Sequence, residues 1–255
     1  MGGAAQPPRA SPSKAIDLPY GEHPTERLDL FRAARPTRRC WSSSTAATGR
    51  ALDKRDFSWV AAPYVAKGVA VAIVNYALLP AVTLEHIVRQ NVAALAWLWL
   101  EGPKLGFDRN RIVVSGHSAG GHLTAMMLAA RWRRWDRRLP ADLVRAGVSI
   151  SGVFDIRPLT QAAFLNQDLQ LDQRSARRLS PGLMSDVQAL PLLASVGERE
   201  SSEFHRQGRL IKAARAPRTV TLLSLKGRDH MSACDALAEP RHELFRRTLR
   251  ICHAT

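Results

Sequence analysis

Residues 111–122 read RIVVSGHSAGGH, an apolar run that ends in Gly116-His117-Ser118-Ala119-Gly120. Ile112, Val113 and Val114 suit a buried strand, because β-branched side chains pack well on a pleated surface. The stretch 122–130 that follows reads as a helix. A G-x-S-x-G between a strand and a helix sets a serine on a sharp turn with its hydroxyl exposed. Gly116 and Gly120 permit the turn and the close approach of strand and helix. The start of the helix adds a positive field and N–H groups that have no partner within the helix. Ser118 is therefore the candidate nucleophile, and the N–H of Ala119 a candidate donor to an oxyanion.

Further from this elbow, apolar runs at 69–75, 146–151, 191–196 and 219–225 read as strands beside 111–115. They alternate with segments of helical period. Over 83–100, Leu84, Ile87, Val88, Val92, Leu95, Leu98 and Trp99 recur at helical spacing and mark a crossover helix. Trp97 and Trp99 on it are expected to fill volume in the core or a groove. Strands alternating with helices predict an α/β fold with a mostly parallel central sheet covered on both faces. A less regular insertion follows residue 156, and 157–182 is expected to form a small helical cap over the site. The expected organisation is a disordered tail over 1–18 and a single domain over 19–255.

Composition narrows the function classes. The 255 residues, 45% hydrophobic, suffice for one substantial core. Cys40, Cys234 and Cys252 are too few and too scattered for a disulfide framework, and no zinc-ligand spacing occurs, so no metal or organic cofactor and a cytoplasmic location are expected. The first residues, MGGAAQPPRASPSK, lack the apolar core of a signal peptide. The longest apolar stretch falls short of a membrane span and contains Asn75 and Pro80. The formal charge of +15 and the run Arg131-Trp132-Arg133-Arg134-Trp135-Asp136-Arg137-Arg138 invite a nucleic-acid reading. The run follows a helix, however, and reads better as that helix's solvated end, with the tryptophans packing back. The expected partner is a small-molecule substrate, with no nucleic acid and no membrane; a homodimer is left open.

A serine hydroxyl needs a base, a group that orients the base, and oxyanion donors. On a strand-turn-helix elbow the partners follow in the order serine, acid, histidine. His230, just beyond the last expected strand in LKGRDHMSACDAL, takes the place of the base, with His205 as the rival. The loop after 191–196 reads GERESSEFHRQ and offers Glu198, Glu200 and Glu203, of which Glu200 is the choice. Asp155 is the competing acid, though capping the following turn suits it better, and Asp229 adjoins His230 too closely to orient it.

These residues resemble the α/β-hydrolase type of kynurenine formamidase, or arylformamidase, and its close esterase relatives. The likeness runs through DLPYGEHPTERLDLF, LDKRDFSW, AIVNYALLP, GHSAGGHL, SGVFDIRPL, GERESSEFHRQ and GRDHMS, nearly the whole chain. In that family the acid is usually an aspartate just before a Ser-Pro-Glu-Phe-like stretch; here Glu200 precedes Ser201-Ser202-Glu203-Phe204. The resemblance implies hydrolysis of N-formylkynurenine to kynurenine and formate in tryptophan degradation, without metal or organic cofactor.

One departure bears on activity. The family carries an apolar strand running into His-Gly-Gly-Tyr-Trp, whose backbone N–H groups serve the oxyanion. Residues 40–49 here read CWSSSTAATG, with Ala46 and Ala47 at the donor positions. The codons TGC TGG TCT TCA TCC ACG GCG GCT ACT GGC encode CWSSSTAATG; preceded by G and read one nucleotide out of step, the same letters encode VLVFIHGGYW. The expectation is that two compensating single-nucleotide shifts scrambled 37–49, which makes a catalytically impaired remnant the alternative to an active hydrolase.

Overall fold

The computed structural model describes residues 17–33, 40–44, 53–215 and 219–255, with the backbone alone over 40–44. In chain order the elements are β1 (Asp17–Pro19), β2 (Arg27–Phe31), β3 (Cys40–Ser44), a 3-10 turn (Lys54–Val60), α1 (Ala61–Val65), β4 (Ala70–Val74) and α2 (Leu84–Leu105). Then come β5 (Ile112–His117), α3 (Ala119–Leu128), α4 (Trp132–Trp135) and β6 (Val144–Ile150). The insertion holds a 3-10 turn (Arg157–Gln161), α5 (Ala163–Leu169), α6 (Gln173–Arg178) and a second turn (Pro181–Leu183). The chain closes with β7 (Leu192–Gly197), α7 (Ser202–Ala214), β8 (Val220–Leu225), α8 (Ser232–Asp235), a short turn (Ala236–Ala238) and α9 (Glu243–Ala254).

The described strands form one sheet in the order β1-β2-β4-β3-β5-β6-β7-β8. From β4 to β8 every neighbouring pair is parallel, and β1 and β2 add an antiparallel edge. Successive side chains of a strand face opposite ways, so parallel strands covered on both faces read as nearly continuous apolar runs. In β4, Ala70, Ala72 and Val74 join a cluster with Leu95 and Leu98 of α2 and Met127 of α3. Val71 and Ile73 join the opposite cluster with Tyr64 of α1 and Phe245 of α9. The expected two-sided, mostly parallel architecture is the one observed.

Helix α2 begins at Thr83, whose side chain accepts from the His86 N–H, and ends at Gly106 in the left-handed region (φ +86°). It continues past Pro103, beyond the boundary expected at residue 100, because Leu100 and Leu105 still pack against the core. Trp97 and Trp99 lie against the same cluster, and the Arg109 guanidinium sits 4.0 Å over the Trp99 ring. Of the two tryptophans in the basic run, Trp132 is buried whereas Trp135 is 44% exposed, so only the first packs back as expected. Cys234 and Cys252 are buried thiols.

Asp17 and Leu18, assigned from sequence to the tail, form β1 against Asp29 and Leu28; residues 1–16 lie outside the described residues. β2 alternates polar and apolar residues over Arg27–Leu30, yet Asp29, at a polar position of that alternation, is buried. Its charge is met by Lys54, whose Nζ lies 2.7 Å from Asp29 and 3.3 Å from Asp17. A buried carboxylate is tolerated only with such a partner, and that partner comes from a distant turn. Among the described residues, no helix is long and apolar enough to cross a membrane.

Candidate active site

Ser118 stands between β5 and α3 with φ +56° and ψ −116°, a region that non-glycine residues adopt only under constraint. Its N–H donates to the Ile150 carbonyl at 2.8 Å, and its own carbonyl accepts from the His122 N–H at 3.1 Å. A side chain at Gly116 would strike the backbone of Gly120, and one at Gly121 would come within 2.6 Å of Ser149 Oγ. The glycines thus let α3 press on β5 and β6, and the strained serine projects from the carboxyl end of the sheet. Ala119 opens α3 beside it, with an N–H at the helix start. His117 closes β5 as its last residue.

The expected partners converge on that serine from two other loops. His230 follows β8, and its Nε2 lies 3.1 Å from Ser118 Oγ. Its Nδ1 lies 2.7 Å from Glu200 Oε2, in the loop after β7. Glu200 has a fully buried side chain. Its Oε1 accepts from Ser151 Oγ at 2.5 Å and from the Gly197 N–H at 2.7 Å. Burial pushes the Glu200 carboxyl up, but hydrogen bonds from His230, Ser151 and Gly197 outweigh it and hold the group below its ordinary value. Glu200 is therefore ionised at neutral pH and aimed along the imidazole edge.

The competing acids are committed elsewhere. Asp155 forms a two-point pair with Arg157 and accepts from the Arg157 N–H, the turn-capping role expected of it. Glu203 pairs with Arg206 and accepts from Gln207. Glu198 accepts from the Gly227 N–H, which braces the loop that carries His230. Asp229 accepts from the Ser232 N–H and hydroxyl. His205 lies on α7. Ala46 and Ala47, the other expected oxyanion donors, lie outside the described residues, as do 37–39 and 45–49 generally.

Ser151 escaped the sequence reading, and Phe204 entered it only as the end of the stretch after Glu200, with no part at the site. Ser151, at the end of β6 with φ +51°, fixes the far oxygen of Glu200. Phe204, in the first turn of α7, lies flat near His230, with ring centroids 4.5 Å apart and an interplanar angle of 29°. A positive-φ serine and a ring stacked from another element leave no local signature in sequence.

A cavity of about 490 Å³ opens beside Ser118 and His230. Tyr76, Leu84, Ile87 and Leu123 line one wall, and Pro158, Leu159, Phe164, Leu165 and Leu169 of the insertion line another. Its volume suits a substrate with an aromatic ring or a short aliphatic chain. Phe164, 69% exposed, stands at the rim. Among the described residues no three His, Cys, Asp or Glu side chains gather to hold a metal ion.

Comparison with known proteins gives consistent relatives. The BD-FAE family model matches residues 44–203. Kynurenine formamidase of Danio rerio is 24% identical over 245 residues, covering 92% of this chain and 81% of that protein. A protein of Silicibacter sp. TM1040, provisionally assigned as a thioesterase, superposes with a TM-score of 0.81 at 27% identity, covering 96% of this chain and 87% of that one. Esterase B of Lactobacillus rhamnosus superposes with a TM-score of 0.76 at 19% identity, covering 94% and 84% respectively.

Proposed function

The chain belongs to the BD-FAE family and has the α/β-hydrolase fold, and from that premise we propose that it is a serine hydrolase cleaving a small acyl amide or ester through Ser118. A hydrolase of the formamidase and esterase type is the level at which its relatives agree. The observation that carries the finer reading is the continuous relay Ser118 Oγ–His230 Nε2 at 3.1 Å and His230 Nδ1–Glu200 Oε2 at 2.7 Å. In that reading His230 Nε2 takes the hydroxyl proton as Oγ attacks the acyl carbon. Glu200, ionised and buried, holds the tautomer with the proton on Nδ1 and favours the imidazolium that forms. The tetrahedral intermediate collapses as the imidazolium passes its proton to the leaving nitrogen or oxygen, which leaves an acyl-enzyme. Water, deprotonated by His230, then attacks the acyl carbon and releases the acid and free Ser118. The N–H of Ala119 supplies one oxyanion donor, and the second belongs at 46–47, where Ala46 and Ala47 stand in place of the family's glycines.

The substrate proposed is N-formylkynurenine, giving kynurenine and formate in tryptophan degradation. The likeness to kynurenine formamidase over most of the chain supports it, and the cavity has room for the aryl ring while a formyl group needs no pocket of its own. The second reading, a carboxylesterase of broad specificity, draws on the esterase likeness and the apolar cavity walls. Comparing kcat/KM for N-formylkynurenine and p-nitrophenyl acetate separates them. The formamidase reading expects the formamide to lead by about tenfold or more, a margin that contacts to one ring can supply. The reverse ratio favours the esterase. A third reading, an impaired remnant, rests on the serine-rich segment 40–49 and expects neither substrate to turn over.

A further inference from the structure

The segment 200–204 touches the His230 imidazole twice. Glu200 meets Nδ1 at the ring edge, and Phe204 lies over the ring face at 4.5 Å. One turn of backbone ties the two together, since the Phe204 N–H donates to the Ser201 carbonyl at 3.1 Å. The second ring neighbour is His117, whose centroid lies 4.6 Å from that of His230 at 43°. His117 is buried, and its Nε2 has no hydrogen-bond partner. Burial first, and the neighbouring His230 second, push its imidazole down to about 4.

We propose that Phe204 is a positioning residue for the proposed reaction: its ring, stacked on His230, holds the imidazole plane that joins Ser118 to Glu200 and stabilises the imidazolium formed as Ser118 loses its proton. The inference rests on Ser118 and His230 acting as nucleophile and base. An imidazole gripped only at Nδ1 and Nε2 can still rock about the line between them, and a flat apolar neighbour on its face removes that motion. The electron-rich face of the phenyl ring also attracts a cation more than a neutral ring. The stack therefore strengthens as charge develops on His230, which makes it a contact that favours the transition state over the ground state. Neutral His117 opposes the imidazolium with no like charge above about pH 5. The other charged groups at the site are Glu200, which favours the cation, and Asp155 and Glu203, which line the cavity but are each held in a two-point arginine pair. Asp229, next in sequence, is engaged by Ser232.

The test compares the parent chain with Phe204→Leu, Phe204→Tyr and His230→Ala. Two readouts are taken: NMR titration of the His230 ring, and the pH dependence of p-nitrophenyl acetate hydrolysis. Leucine keeps the apolar volume but removes the π face. For Phe204→Leu the proton affinity of His230 is expected to fall about two- to thirtyfold, the range for a cation on an aromatic face. The acid limb of the rate profile moves to lower pH with it, and kcat falls while KM holds. Phe204→Tyr is expected to restore both. A Phe204→Leu protein whose His230 titrates like the parent's overturns the proposal, and so does a rise in KM at constant kcat, which marks Phe204 as cavity wall only. The titration needs no turnover and decides the proposal even for an impaired enzyme. If His230→Ala leaves hydrolysis unchanged, the underlying reading of the site fails; if it abolishes hydrolysis while Phe204→Leu matches the parent, only the proposal about Phe204 fails.

Discussion

Ser118→Ala is expected to remove enzymatic hydrolysis of both N-formylkynurenine and p-nitrophenyl acetate, a loss on the order of a millionfold in kcat where the parent rate allows it to be read. The size follows from the relay. Without Oγ there is no acyl-enzyme, and the imidazole that lay 3.1 Å away has no proton to take. The change removes one oxygen from a residue that is already buried and held at φ +56°, so alanine meets the same backbone demand as serine. Unfolding in urea should therefore show a midpoint close to that of the parent. Lost activity with an intact midpoint assigns the loss to chemistry. Retained activity removes Ser118 from the reaction altogether.

The second large effect concerns residues 40–49. Cys40–Ser44 form β3, whose backbone pairs in parallel with Ala70–Val74 on one side and with residues 112–116 on the other. A strand in the middle of a two-sided parallel sheet is where a continuous apolar run is required, and serine has low strand preference there. The out-of-step reading VLVFIHGGYW supplies that run over 40–44 and two glycines at 46–47. We propose that this is the ancestral segment, scrambled by paired frame shifts in the gene or its sequencing. Replacing 40–49 by VLVFIHGGYW is expected to raise kcat about a hundred- to a thousandfold, the usual worth of one oxyanion donor, and to raise the urea midpoint. If CWSSSTAATG is instead an authentic, adapted strand and loop, the larger side chains placed at 42–44 overpack the sheet and cost about 1–3 kcal/mol each, and the rate gains nothing. A gain in both stability and rate supports the frame-shift account; a loss of stability with no gain in rate overturns it.

The elbow was legible because its demands are local. A strand, a turn and a helix within RIVVSGHSAGGH can be read without knowing what packs on them. His230 and Glu200 were legible because loops that follow successive parallel strands gather at one end of the sheet, so order along the chain stands in for proximity. The same reasoning failed at the antiparallel edge. Arg27–Leu30 alternates polar and apolar residues as a one-sided strand does, yet Asp29 is buried, and the Lys54 that neutralises it is a tertiary fact. It failed again at Ser151 and Phe204, whose parts depend on the backbone angle of one and the ring plane of the other. Trp135 was expected to pack back beside Trp132, its i+3 neighbour on the same helical face, and is instead exposed.

The central claim is that Ser118 is a nucleophile activated by His230, and covalent labelling tests it without assuming a substrate. The folded chain would be incubated with a fluorophosphonate, digested and read by mass spectrometry, beside the Ser118→Ala and His230→Ala proteins. The account predicts a single adduct on the peptide that contains Ser118, absent in Ser118→Ala and much slower to form in His230→Ala. A folded protein that forms no adduct, or one that carries it on another residue, would contradict the account.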